Sequence, residues 1–81
     1  MIPRMTSFLE AKSWLKSRGF EYLGGANILD CYTYYFAKFD QGNPLLAIVD
    51  GWWGDWRPHI KSTSEEELEA IRQRIAEEGR R

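Results

Sequence analysis

The chain has one cysteine, Cys31, and one histidine, His59. A single cysteine excludes an intrachain disulfide and fits a reducing compartment. One Cys and one His cannot complete a tetrahedral zinc set, so no metal and no other cofactor is expected. Neither residue has a partner at a spacing that would orient it for nucleophile and base chemistry, which leaves no catalytic residue to name and argues against an enzyme. An excess of one charge is also missing: eleven Lys and Arg stand against twelve Asp and Glu. That balance speaks against a generic polyanion binder and equally against an acidic mimic of nucleic acid. The longest aliphatic run, LLAIV at 45–49, is far too short to span a bilayer, and the opening MIPRMTSFLEAKSW lacks the apolar core of a secretory signal. A soluble, cytoplasmic protein with no membrane contact is expected.

What the chain has in quantity is aromatic side chains, at 15% of 81 residues. A single domain over 1–81 is expected, and one of this size buries only roughly 60 to 65% of the surface its unfolded chain exposes, so every large apolar residue matters to stability. Yet three of the four tryptophans, Trp52, Trp53 and Trp56, fall within DGWWGDWRPHIK at 50–61, where glycine and proline turn the backbone. Trp56 is expected in the core. Trp52 and Trp53 are adjacent and would point to opposite sides if extended, so at least one is expected at the surface, as a lid on the core edge or as a contact residue.

Ser7 with Glu10 and Ser64 with Glu67 have capping-box spacing, each followed by an apolar stripe of helical period: Phe8, Ala11, Trp14 and Leu15 in the first, Leu68, Ile71 and Ile75 in the second. These predict helices over about 8–18 and 65–78, stopped by Gly19 and Gly79. Between them the period changes. Strands are predicted at about 20–23, ended by Gly24 and Gly25, then at 31–39, 44–50 and 56–61, with DQGN at 40–43 as a hairpin turn. Pro58 cannot donate to a ladder and puts the last strand at an edge or beside a bulge. Asp30, Asp50 and Asp55 read as turn residues. The expected fold is α+β, in α-β-β-β-α order: an antiparallel sheet of three to four strands with both helices on one face.

Strand alternation then assigns the open face. Tyr32, Tyr34, Phe36 and Lys38 share one side of the central strand, while Cys31, Thr33, Tyr35, Ala37 and Phe39 share the other, so both sides are aromatic. On the last strand Trp56 and Ile60 are expected under the helices and Arg57, His59 and Lys61 on the open face, beside Tyr32 and Tyr34. The candidate binding residues are therefore Trp52, Trp53, Arg57, His59, Lys61, Tyr32 and Tyr34, a mixture of the types that dominate protein interfaces. The same mixture could stack bases and meet phosphates, which keeps a nucleic-acid-binding module as the alternative, less favoured because the RNP-type motif and a net positive charge are both lacking. A homodimer through the open face is a third possibility.

In size, in α-β-β-β-α order and in its lack of a catalytic motif, the chain resembles the small proteins that phages and mobile elements encode to block host defence complexes, such as anti-CRISPR proteins. The resemblance covers the whole chain as a layout and carries over no functional position. It implies stoichiometric binding to a protein or ribonucleoprotein target, with no chemistry of its own.

Overall fold

The computed structural model describes residues 2–28, 31–51 and 54–78. Trp52, Trp53, Asp30 and Gly79 lie outside the described residues. Helix α1 (Phe8–Ser17) begins at Ser7, whose extended backbone lets its hydroxyl accept the Glu10 N–H at 3.2 Å. Glu10 reaches back one residue further than in the simple box and accepts the Thr6 N–H at 2.7 Å. The helix stops as its sequence predicts. Gly19 takes a left-handed φ of 88°, its N–H bonds the Lys16 carbonyl, and the Phe20 N–H bonds that of Leu15 at 3.0 Å. This is a Schellman stop, and it turns Phe20 into the core beside Leu15.

Four antiparallel strands follow in a meander: β1 (Glu21–Ile28), β2 (Cys31–Asp40), β3 (Asn43–Val49) and β4 (His59–Ser62), in the spatial order β1-β2-β3-β4. Helix α2 (Glu65–Glu78) completes the α+β chain and packs on the sheet. Gln41 and Gly42 join β2 to β3 with φ of 51° and 84°, between the paired residues Asp40 and Asn43. Two positive φ values in a two-residue loop make a type I′ turn, whose twist suits the flanking strands.

Two strand boundaries differ from expectation. Gly24 and Gly25 do not end β1; the strand runs through them to Ile28. Their use is volume. A β-carbon on Gly24 would lie 2.8 Å from the Ile75 side chain of α2, and one on Gly25 would lie 2.3 Å from the Tyr32 ring. Gly24 also has φ of 133°, and the register shifts between Tyr22 and Gly24, a bulge that only glycine accommodates freely. At the other end, Trp56 and Arg57 precede β4 rather than belonging to it. Asp55 accepts the Arg57 N–H at 3.1 Å, an Asx-type turn, and Pro58 follows, so pairing begins only at His59.

The larger correction concerns the faces. The helices do not share one side of the sheet; they cover opposite sides. Phe36, Ala47 and Val49 pack with Met5, Ala11, Leu15 and Phe20 around α1, whereas Tyr35, Ala37 and Leu46 pack with Ala26 and Leu68 beneath α2. Phe36 and Tyr35 are neighbours on β2, as Ala47 and Leu46 are on β3, and neighbouring strand residues point to opposite faces. The cause is already in the strands. β2 and β3 are apolar on both sides, and a sheet with two apolar faces must be covered on each. Phe36, Leu15, Val49, Leu46 and Leu68 are the largest fully buried side chains, so each face holds a core of its own. Complete burial of such a side chain contributes about 1.5 to 3 kcal/mol.

Candidate functional site

The register places four of the seven predicted binding residues; Arg57 precedes β4, and Trp52 and Trp53 lie outside the described residues. Tyr34 faces Val49 across the ladder and lies on the α1 side, and Tyr32, two residues earlier, shares that side. His59 pairs with Ile48 and Lys61 with Leu46, which puts both on the α2 side. The expected grouping of His59 and Lys61 with the tyrosines is therefore not formed. Ile60, expected under a helix, lies opposite Ala47 on the α1 side but at the sheet edge, where it remains 37% exposed.

The basic residues are also engaged. The Arg57 guanidinium forms a fork with Asp55, with bonds of 2.9 Å from Nε and 2.6 Å from the terminal nitrogen to Oδ2. These hydrogen bonds from Arg57 hold the Asp55 carboxyl below the usual carboxylate range and raise the guanidinium in turn. Lys61 donates to Glu67 at 3.1 Å, and Thr63 donates to the same carboxylate. The Thr63 hydroxyl first, and then Lys61, depress the Glu67 carboxyl, tying β4 to the first turn of α2.

What remains on the α1 side is a continuous set of rings. Phe8 of α1 stacks on Tyr34 with centroids 4.1 Å apart, and Tyr34 meets Tyr32 at 4.9 Å. Tyr22 of β1 lies 5.0 Å from Phe36 and 6.0 Å from Phe8. Trp56 closes the set at 6.3 Å from Tyr34, its backbone N–H bonded to the Met5 carbonyl at 3.1 Å. Its ring lies on Gly51, where a β-carbon would meet it at 2.6 Å. These rings grade from interior to surface. Phe36 is fully buried; Phe8, Tyr34 and Trp56 are half-buried; Tyr22 is 40% exposed and Tyr32 51%.

The extent of α1 explains why this end stays open. The helix begins where Phe8 meets Tyr34 and ends where Gly19 meets Lys38, so it follows β2 over that stretch alone. Ten helical residues span about 15 Å, and a ten-residue strand about 33 Å. Tyr32 lies beyond the start of the helix and leans across β1 onto Gly25. The Lys12 ammonium sits over the Tyr22 ring, 5.5 Å from its centroid. Burial, and then the nearby Tyr32 and Tyr34 phenols, raise the Tyr22 hydroxyl above its usual value near 10. Its un-ionised form is thus favoured in the fold.

Tyr32 and Tyr34 were legible as surface candidates; Tyr22 and Phe8 were not. Tyr22 joins the set because it pairs with Phe36, and only the strand pairing carries that information. The usable signal was the two-residue spacing of Phe20 and Tyr22, which marks one face of a strand.

An open groove of about 640 Å³ lies on the α2 side, lined by Phe39, Glu65, Glu66, Leu68, Glu69 and Arg72 among others. Phe39 is 57% exposed there. Glu65 and Glu66 occupy the first turn of α2, where carboxylates complement the helix dipole without any ligand. Among the described residues no helix is long and apolar enough to cross a membrane. Comparison with protein families, with curated proteins and with solved structures finds no match to this chain.

Proposed function

We propose that the chain is a noncatalytic protein-binding module whose contact surface is the ring face of Tyr22, Tyr32 and Tyr34, flanked by Phe8 and Trp56. The observation that carries this reading is the exposure of Tyr22 and Tyr32 in a chain too small to leave large rings in water without loss. Tyrosine offers a wide apolar face with one polar tip and two side-chain torsions, so it gives much contact area for little ordering cost. The proposal extends to the inhibitor class that the layout resembles: such a module would act by occupying the surface of a protein or ribonucleoprotein, for example a host defence complex.

The nucleic-acid alternative loses support from the same register. Stacking rings remain, but His59 and Lys61 stand on the opposite side and Arg57 is committed to Asp55. An oligonucleotide titrated at two salt concentrations separates the readings, since phosphate contacts give steeply salt-dependent binding. The contact surface itself is tested by affinity capture with the wild-type chain beside a Tyr22→Ser, Tyr32→Ser double variant. A partner retained by the wild type and lost by the variant is expected; equal retention by both would remove this face from the binding site.

A further inference from the structure

We infer that the occupant of the ring face is a proline-rich segment in the polyproline II conformation, with an acidic residue on one flank. This inference rests on the reading of that face as a protein contact. Size is the first argument. At roughly 200 Å² per ring side chain, the exposed fractions of the five rings leave on the order of 300 Å² for contact. A stable dimer needs about 800 Å² from each partner, so a second copy of the chain is a poor match and a short segment a good one.

The chemistry of the surface selects the type of segment. An incoming helix is held by aliphatic knobs in a groove, whereas this surface is lined by aromatic rings, most of them tilted against one another, with centroids 4.1 to 6.5 Å apart. An added strand would need the outer edge of β1, which is bulged between Tyr22 and Gly24 and carries the positive φ of Gly24. A polyproline II segment docks on aromatic-lined surfaces of this kind. Its flat pyrrolidine rings lie on aromatic faces, and its carbonyls have no internal partner. The surface supplies matching donors in the hydroxyls of Tyr22, Tyr32 and Tyr34.

Charge favours an acidic flank. Lys12 lies over Tyr22 at one end, and on the Trp56 side Arg4 acts on Asp55 beside the Arg57–Asp55 pair, so both ends carry cationic charge. The ammonium at the Tyr22 end therefore favours a carboxylate at the corresponding end of the segment. Such segments also lose little freedom on binding, because proline restricts them beforehand.

The test is selection of a random dodecapeptide library on the full chain, followed by titration of the enriched peptides, as synthetic compounds, into wild type and variants. Peptides with a proline-rich core and an acidic flank are expected. Their affinity should fall about tenfold or more with Tyr32→Ser, the scale of a contact hot spot. Gly25→Ala should weaken binding similarly, because its new methyl displaces the Tyr32 ring without removing it. Lys12→Glu should shift the enriched flank from acidic to basic. Enriched peptides that depend on Tyr32 but lack proline would overturn the occupant and leave the contact face standing. Peptides indifferent to Tyr32→Ser would count against both. If no peptide is enriched over the Tyr32→Ser control, the segment proposal fails and the capture experiment alone decides the face.

Discussion

The two sides of one sheet are covered unequally. On the α2 side a fourteen-residue helix lays Leu68, Ile71 and Ile75 on Tyr35 and on aliphatic and small residues, and Gly24 lets Ile75 approach the backbone. On the α1 side a ten-residue helix buries Phe36 but stops short of Tyr32. The α2 side leaves one ring, Phe39, in water at the end of β2, whereas the α1 side leaves a cluster of packed rings partly in water. The lesson is that a short cover can leave a surface whose residues are core in type and contact in position.

The largest effects should come from the finished parts of both sides. Phe36→Ala is expected to cost about 3 to 5 kcal/mol and Leu68→Ala about 2 to 5 kcal/mol, by lost burial and the cavity left behind. Urea unfolding measures both, and a sheet with two working cores requires that neither value be small. Next, Gly24→Ala should cost about 1 to 3 kcal/mol, from a strained positive φ together with the contact to Ile75. That loss should not appear with Gly25→Ala, where the exposed Tyr32 ring can swing aside. The comparison sharpens at Tyr32→Ser, which is expected to change stability by no more than about 0.5 kcal/mol, as surface substitutions do. A loss as large as that of Leu68→Ala would make Tyr32 a lid on the core, and the contact surface would have to be given up.

The smallest expected effect is electrostatic. The Glu67 carboxyl is depressed in the fold by Thr63 and Lys61. Its contribution is therefore complete above the unfolded-chain value near 4.3 and is lost as pH falls through the lower folded value. The protection of β4 amides relative to their intrinsic exchange rates should stay constant from neutral pH down to that range and fall below it. A fall that begins well above that range would remove Glu67 as its cause.

Much of this fold was legible because its signals are local. Ser7, Gly19 and Ser64 mark helix ends by hydrogen bonds to residues three to five positions away, and the Gln41-Gly42 turn needs only its own two backbones. Apart from the start of β4, delayed by the local Asp55–Arg57 turn and Pro58, the misreadings were nonlocal. Gly24 and Gly25 look like a turn in isolation, and only Ile75, some fifty residues on, and Tyr32 explain them as room for neighbours. The side on which α2 lies could not be read from β2, because Tyr34 and Tyr35 are equally suited to burial. His59 and Lys61 alternate cleanly with Ile60, but which side that alternation serves depends on their pairing with Ile48 and Leu46. Tyr22 entered the candidate site through its pairing with Phe36 across the β1–β2 ladder.

The irregular outer strand has a further effect on how this protein behaves when concentrated. A straight border of unsatisfied amides invites copies to join side by side into growing ribbons. The extra residue at Leu23 breaks the even spacing that such growth would copy, and at the far border β4 offers only four residues after a proline. A chain with so many rings in water can thus remain dispersed, because its borders are poor templates even where its broad side is adhesive.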